Sequence, residues 1–234
     1  MSRCKVSITA PQGQYIVCRS TPLIWGHMID LYTFETSNGL RAAVILEECG
    51  LPYRVHRVDL TKGEHKSKSP EFLNINPTGA IPAIVDHDGP GGAPLKLSQS
   101  GAIVLYAAEK AGKFVPADPV RRALAMQWLM LSLTDAARAS TSIFLCSTVV
   151  PDKSPANVAY FEEQTLRYLR VADARLAGRE FLADELSIAD FALYPLYAVR
   201  KALVDKAGDL LELTRWGDAI GARPGVVRGM RAVE

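Results

Sequence analysis

Residues 76–106 constrain the fold of this chain more than any other stretch. Pro82 enters a short apolar strand pattern at residues 81–85, a Gly/Pro-rich turn follows, and a second strand pattern at 94–98 runs directly into a helix pattern at 100–111. The turn between the two strand patterns predicts a hairpin. Such a layout can bind an extended peptide ligand by its backbone near the proline, while the start of the helix offers free amides to a carboxylate.

The composition favours a folded protein over a disordered, nucleic-acid-binding or membrane-spanning one. Of the 234 residues, 48% are hydrophobic and 22% are charged, which is enough apolar material for a packed core. The 27 basic and 25 acidic residues nearly balance at a net charge of +2, so nothing indicates a nucleic-acid surface. No apolar run approaches the roughly 18 residues that cross a bilayer. We therefore expect a soluble protein with no membrane or nucleic-acid partner.

The four cysteines, Cys4, Cys18, Cys49 and Cys146, are scattered along the chain. None forms a Cys-x-x-Cys pair and their spacing is not that of a zinc site, so we expect no metal site. Scattered thiols are typical of a reducing compartment, which predicts a cytoplasmic location. Cys49 falls in a helical pattern and is most simply a buried small hydrophobic residue.

Residues 1–28 differ in composition from the rest of the chain. They contain no acidic residue, three basic residues and no apolar core of a signal peptide. A transit peptide is one interpretation, but the helical amphipathicity is poor. An upstream start codon, with Met28 as the natural first residue, or a cloning remnant at residues 26–28 would also produce such a segment. We expect a loose, poorly ordered extension.

Residues 29–112 alternate strand and helix patterns. Apolar, β-prone runs predict four strands, at residues 29–34, 53–60, 81–85 and 94–98. Apolar stripes at helical spacing predict helices at residues 40–49 and 100–111 and one short helical turn at 70–73. Gly50 and Gly112 are natural ends for the two long helices. A strand–helix–strand unit followed by a hairpin and a helix predicts a four-stranded mixed sheet with helices packed on it.

The remainder of the chain is helical. Residues 113–119, which contain Pro116 and Pro119, leave the preceding apolar pattern and predict a linker. Beyond the linker, helical spacing is present at residues 120–140, 157–177, 187–207 and 210–222. The sequence therefore predicts an α/β domain followed, in residues 120–234, by an all-helical domain.

Four motifs, in this order and at this spacing, resemble those of the cytosolic glutathione S-transferase family. They are Thr-Ser-Asn-Gly at residues 36–39, Ile-Pro-Ala-Ile-Val-Asp at 81–86, Gln-Ser-Gly-Ala-Ile at 99–103 and Ser-Ile-Ala-Asp at 187–190. From Met28 onward the chain is most similar to the bacterial nu-class branch, the glutathione-dependent disulfide-bond oxidoreductases. The resemblance implies a thioredoxin-like N-terminal domain, a helical-bundle C-terminal domain and a homodimer.

The resemblance assigns two of these motifs to glutathione binding. Pro82 matches the family's cis-proline, which would turn the Ile81 backbone toward the cysteinyl part of glutathione. The residues alone show only that Ile81 is pushed toward an extended conformation, as it would be before an edge-strand proline. Gln99 and Ser100 match the γ-glutamyl site. Ser100 would both cap the following helix and bond the carboxylate, an anion that the helix dipole favours.

Thr36 and Asn38 match the position of the glutathione sulfur, between the first strand and the first helix. A free thiol has a pKa of about 8.5 and is mostly protonated at pH 7. The Thr36 hydroxyl and the Asn38 amide would donate to the thiolate and favour it. The alternative is a plain helix-capping turn. No cysteine occupies this position, so the resemblance implies that the glutathione sulfur, and not a protein thiol, is the nucleophile.

Three other positions bear on the resemblance. His65 lies in a charged loop where the family has Gln or His near the glycyl end of glutathione, although a solvent-exposed loop histidine is the alternative. Ala80 and Tyr160 depart from the nu-class pattern, which often has Lys and Arg there. Both changes remove positive charge near the glutathione carboxylates and weaken the disulfide-reductase assignment more than the fold. The motif at 187–190 predicts a capping box that supports folding rather than chemistry.

These features predict a glutathione-dependent enzyme. It would be a transferase or disulfide-bond reductase that stabilises the glutathione thiolate and delivers it to a small electrophile or disulfide. Peroxide reduction is a further candidate activity. The alternative is a non-catalytic glutathione-binding or regulatory protein of the same fold. Several apolar and aromatic residues could line a second-substrate pocket, although core packing is the alternative role for most of them: Tyr106, Trp128, Met130, Leu131, Phe144 and Tyr197.

Overall fold

The computed structural model of the chain describes residues 28–60 and 68–233. Four strands form one mixed sheet in the order β2-β1-β3-β4, and they span β1 (Ile29–Thr33), β2 (Tyr53–Arg57), β3 (Ala83–Asp86) and β4 (Leu95–Ser98). Strand β2 is parallel to β1, whereas β3 runs antiparallel to both β1 and β4. The predicted four-stranded mixed sheet and its hairpin are confirmed.

The helices of the first half are α1 (Ser37–Cys49), α2 (Pro70–Leu73) and α3 (Ser100–Ala111). Helix α1 ends at Gly50 with φ 73°, and α3 ends at Gly112 with φ 65°. Both glycines therefore adopt the left-handed conformation that lets a helix stop without a side-chain clash. The predicted ends of both helices are confirmed.

Two strand boundaries differ from the prediction by more than one residue. Strand β2 ends at Arg57 and not at Leu60, because β1 itself ends and the Thr33 carbonyl accepts its last bond from the Val58 N–H at 2.9 Å. Strand β3 begins at Ala83 and not two residues earlier, because Pro82 has no N–H to contribute to the ladder.

The second half is helical, as predicted. Its elements are α4 (Pro119–Met130), a π-helical turn (Leu131–Ala136), α5 (Ala137–Phe144), a second π-helical turn (Leu145–Val149), α6 (Pro155–Leu176), α7 (Ile188–Val199), α8 (Lys201–Ala207), α9 (Leu211–Gly221) and α10 (Pro224–Met230). Three details differ from the prediction. The first helical segment continues to Val149, beyond residue 140. Arg200 interrupts the predicted 187–207 helix, and Pro224 begins a further helix.

Some predictions lie outside the described residues. These are the poorly ordered extension, as far as residue 27, the loop histidine His65, and the thiols Cys4 and Cys18. The domain and linker boundaries, 29–112, 113–119 and 120–234, stay predictions. Within the described part of the chain, no helix is both long enough and apolar enough to cross a membrane.

Helix α1 lies at the centre of the molecule. It packs against β1, α3, α7 and α10, and one continuous hydrophobic core joins the sheet, α1, α7 and the later helices. The contact with α10 is close because Gly229 lies over Val44, where a Cβ atom at Gly229 would be 2.5 Å from the Val44 Cα atom. The helix that follows β1 is therefore held by both halves of the chain.

Ser187 and Asp190 begin α7 with the predicted capping box. Asp190 is fully buried and accepts hydrogen bonds from the Leu182 and Ser187 N–H groups, the Ser187 hydroxyl and the Trp216 indole N–H, at 2.9–3.3 Å. Burial raises the pKa of this carboxyl, and the donors around it act in the opposite direction. The motif thus ties the start of α7 to α9.

Candidate functional site

Three chain segments meet at one edge of the sheet. Tyr32 on β1 lies beside Ala83 on β3, which in turn lies beside Ser98 on β4. Beyond this row the chain leaves β1 toward α1, enters β3 through Pro82, and leaves β4 toward α3. The topology therefore brings together the three segments that carry the predicted site residues.

Thr36 is the N-cap of α1, the capping role considered for this turn as the alternative. Its Oγ1 atom accepts a hydrogen bond from the Gly39 N–H at 3.0 Å. A hydroxyl can donate as well as accept, so the Thr36 proton stays available to an acceptor. The N–H groups of Ser37 and Asn38 lie in the first turn of α1, where a helix has no acceptor of its own for them. The first turn of α1 thus offers several donors at its positive end.

Asn38 and Ser100 are joined through one guanidinium nitrogen. The Nη1 atom of Arg41 donates to Asn38 Oδ1 at 2.6 Å and to Ser100 Oγ at 2.8 Å. Asn38 is half-buried and Ser100 is 8% exposed. One residue predicted for the sulfur, Asn38, and one predicted for the γ-glutamyl group, Ser100, therefore belong to one hydrogen-bonded cluster.

Arg41 is the largest polar side chain of this cluster and has no exposed surface. Its Nε atom donates to the Ala192 carbonyl on α7 at 2.7 Å, and its Nη2 atom is buried without a hydrogen-bond partner in the described structure. Burial lowers the pKa of Arg41 to about 10, so the group remains charged at neutral pH. The cluster thus carries a buried positive charge.

The peptide bond between Ile81 and Pro82 is cis, which agrees with the predicted cis-proline. Pro82 is buried and Ile81 is half-buried, directly before the first residue of β3. Asn76 is buried nearby and its side-chain amide donates to the Ala80 carbonyl at 2.5 Å, which holds the approach to the proline.

The structure corrects the predicted role of Ser100 as a helix cap. The cap of α3 is Gln99, whose side chain is exposed and makes no capping bond, and Ser100 is already the first helical residue. The Ser100 hydroxyl accepts from Arg41 instead. Gln99 has φ 71°, which is uncommon for a residue other than glycine. The chain therefore turns sharply just before α3.

The residues considered for a second-substrate pocket separate into two groups. Trp128 and Tyr197 are 5% and 3% exposed and belong to the core, while the Tyr106 hydroxyl donates to Asp86 at 2.6 Å. Met130 and Phe144, in contrast, are about half exposed. Core packing, the alternative interpretation, thus holds for the buried members of this set.

The described cysteines do not lie in this cluster. Cys49 is 5% exposed at the far end of α1, and burial raises the pKa of its thiol to about 12. Cys146 lies in the second π-helical turn. In the described part of the chain, no group of three or more metal-ligating side chains is arranged to hold a metal ion.

Sequence reasoning missed Arg41. The signal was present, because Arg41 is the only charged residue in the run Leu-Arg-Ala-Ala-Val-Ile-Leu at residues 40–46. A single cation inside an otherwise apolar helical run either reaches solvent or serves a buried polar site.

Comparisons with known proteins match both halves of the chain. The family model for the glutathione S-transferase N-terminal domain matches residues 37–110, and that for the C-terminal domain matches residues 122–224. The disulfide-bond oxidoreductase YfcG of Escherichia coli (strain K12) is 38% identical over 200 residues, which cover 84% of this chain and 92% of YfcG. The disulfide-bond oxidoreductase YghU of the same organism is 32% identical over 217 residues, which cover 87% of this chain and 74% of YghU.

Solved structures of similar fold point to the same family. A glutathione transferase from Pseudomonas putida, solved with one glutathione disulfide bound per subunit, has a TM-score of 0.80 at 32% identity, with 90% of this chain and 94% of that chain covered. A glutathione transferase from Burkholderia graminis, with two glutathione molecules bound per subunit, has a TM-score of 0.79 at 33% identity, with 89% and 90% covered. With the sheet, the cis-proline and both domain models in agreement, this chain belongs to the glutathione S-transferase family.

Proposed function

We propose that this protein binds glutathione at the sheet edge described above and uses its thiolate as a transferase or disulfide-bond reductase. The observation that carries the proposal is the cluster in which Arg41 joins Asn38 to Ser100, together with the cis-proline before β3. Two relatives are disulfide-bond oxidoreductases, and related solved structures contain glutathione or its disulfide. The second substrate would then be a small electrophile or a disulfide.

Each predicted site residue has a role in this proposal. Thr36 and Asn38 donate to the glutathione sulfur, the Ile81 backbone pairs with the cysteinyl backbone, and Gln99 and Ser100 bind the γ-glutamyl group. His65, which lies outside the described residues, is assigned to the glycyl end. The free donors at the first turn of α1 support the role of this segment, because they favour an anion over a neutral thiol.

The cellular setting and the assembly are part of the same proposal. We infer a cytoplasmic homodimer from the family, and sedimentation of the purified protein tests the dimer. A sedimentation coefficient that corresponds to a monomer at micromolar concentration would contradict it.

The activity is tested with two assays side by side. Glutathione with 2-hydroxyethyl disulfide measures disulfide reduction, and glutathione with chlorodinitrobenzene measures conjugation. Turnover in either assay supports the enzyme. Normal glutathione affinity by calorimetry without turnover in either would instead favour the non-catalytic glutathione-binding protein, and absence of binding would refute both.

The role of Asn38 is tested by Asn38→Ala. A hydrogen bond to a charged group contributes about 1.5–3 kcal/mol, which corresponds to about one or two pKa units of the bound thiol. We therefore expect a roughly 10- to 100-fold lower kcat/KM at a pH below the thiol pKa, with recovery at higher pH. Asn74→Ala, at an exposed asparagine that ends α2, is the matched control and should behave as wild type. An unchanged pH–rate profile in Asn38→Ala would remove Asn38 from the chemistry.

A further inference from the structure

Arg41 is a buried cation without a carboxylate partner among the described residues. The carboxylates on α1 and on the elements packed against it all have other partners: Asp30 pairs with Arg54, Glu47 with Arg228, Glu48 with Arg223 and Glu109 with Arg122, while Asp190 accepts from Trp216. The bonds of Arg41 go instead to three neutral oxygens, and its Nη2 atom has none. An uncompensated buried charge is costly unless something neutralises it.

The chemistry of the guanidinium fixes how its neighbours are oriented. A guanidinium only donates hydrogen bonds, so the oxygen of the Asn38 amide faces Arg41 and the NH₂ group points elsewhere. Ser100 Oγ likewise accepts from Arg41, which leaves the Ser100 proton for another acceptor. Both side chains are thereby presented to a ligand as donors, and this is the arrangement that an anion needs at each position.

We propose that Arg41 is a positioning residue of this site: it orients Asn38 and Ser100 as donors, and its buried charge is neutralised by the thiolate and the γ-glutamyl carboxylate of bound glutathione. The inference rests on the proposed function, since it deepens the account of the same site. Arg41 acts through its two neighbours and through its charge.

The test compares Arg41→Gln with Arg41→Lys. Glutamine keeps one NH₂ donor group but removes the charge, whereas lysine keeps the charge and loses the planar fork. The readout is the pKa of the bound glutathione thiol, measured from the ultraviolet absorbance of the thiolate as a function of pH. We expect this pKa to rise by about one unit in Arg41→Gln, a roughly tenfold smaller thiolate fraction below the pKa, and to be largely restored in Arg41→Lys. Equal pKa values in the two variants would overturn the charge argument.

Arg54→Gln is the matched control. Arg54 is also an arginine of the first half, but it pairs with Asp30 and is 38% exposed, so its charge is already compensated. We expect Arg54→Gln to leave the bound-thiol pKa unchanged. A shift as large as that of Arg41→Gln would mean that any lost cation changes the pKa and would overturn the specific role of Arg41.

Asn38→Asp keeps the proposal falsifiable if Arg41→Gln does not fold. The aspartate retains an oxygen acceptor for Arg41 but has no NH₂ donor. We expect undiminished resistance to urea and a loss of kcat/KM at least as large as in Asn38→Ala. Wild-type kcat/KM in Asn38→Asp would show that the NH₂ group is not the functional end of the amide, which would overturn the positioning role.

The same measurements on wild-type protein separate this inference from the proposed function. Absence of glutathione binding in the wild type refutes the proposed function and the role of Arg41 with it. A lowered thiol pKa in the wild type that Arg41→Gln retains refutes the role of Arg41 alone.

Discussion

Replacement of Asp190 by alanine tests how strongly its buried hydrogen bonds stabilise the fold. The Asp190 carboxylate is the only described acceptor for the Ser187 N–H and the Trp216 indole N–H, and it also accepts from the Leu182 N–H. All of these groups are buried. Asp190→Ala therefore leaves three buried donors without a partner and removes the Asp190 half of the capping box, while the Ser187 hydroxyl keeps its bond from the Ala189 N–H.

The magnitude follows from these three donors. Each buried donor that loses its acceptor costs about 1–3 kcal/mol, and partial entry of water keeps the total at the low end, about 3–5 kcal/mol. For a chain of this size, 1 kcal/mol shifts Tm by about 2–4 °C, so we expect Tm to fall by roughly 6–20 °C. Such a loss is a large part of the roughly 5–15 kcal/mol that stabilises a typical folded protein.

The assay is urea and thermal unfolding followed by circular dichroism and tryptophan fluorescence. Asp118→Ala is the matched control, because Asp118 also caps a helix, but it is exposed and accepts from a single N–H group, that of Arg121 at 2.9 Å. We expect this control to lose only about 0.5–2 kcal/mol. If Asp190→Ala lost no more than Asp118→Ala, burial of the acceptor would not be the reason for its importance.

Three further predictions follow from described contacts. Burial raises the pKa of Asp30, but its bonds with His87, His56 and Arg54 outweigh burial and lower it. The stability that Asp30 contributes is therefore complete above about pH 4, and the difference in unfolding free energy between wild type and Asp30→Asn should decline as the pH falls from there through the lowered pKa of the folded state. Gly229→Ala should cost about 1–3 kcal/mol in urea unfolding, because the added Cβ would lie 2.5 Å from the Val44 Cα atom; a neutral effect would mean that α10 moves away freely. Cys49 should resist alkylation by iodoacetamide until the protein unfolds, and Cys49→Ala should keep its turnover; a loss of turnover would reopen a protein-thiol mechanism.

Local signals predicted the elements that depend on local chemistry. Gly50 and Gly112 end their helices because only a residue without a side chain adopts the left-handed conformation at no cost. Ser187 and Asp190 form a capping box three residues apart, which needs no information from elsewhere in the chain. The motif order then assigned the family, and the comparisons confirmed the family and the fold.

The errors concern partners that are distant in sequence. Ser100 was predicted to cap α3, but its hydroxyl is taken by Arg41, 59 residues away. The apolar run around Arg41 marks it as an unusual cation, but the Ala192 carbonyl that accepts from it is 151 residues away, so the pattern on α1 alone does not show that Arg41 is buried. The sequence predicts no helix after residue 222, although a proline such as Pro224 suits the first helical turn, and the packing of α10 on α1 favours the helix that Pro224 begins.

The central place of α1 has a consequence for how the protein can be divided. A fragment that ended at Gly112 would contain the complete sheet. It would, however, expose to water the surface of α1 that α7 and α10 cover, including Val44, against which Gly229 packs. The Arg41 Nε atom would lose its acceptor in the same fragment. The point along the chain at which strands are followed only by helices therefore does not mark the end of a unit that folds by itself. We expect that the first half could not be moved into another protein with its site intact.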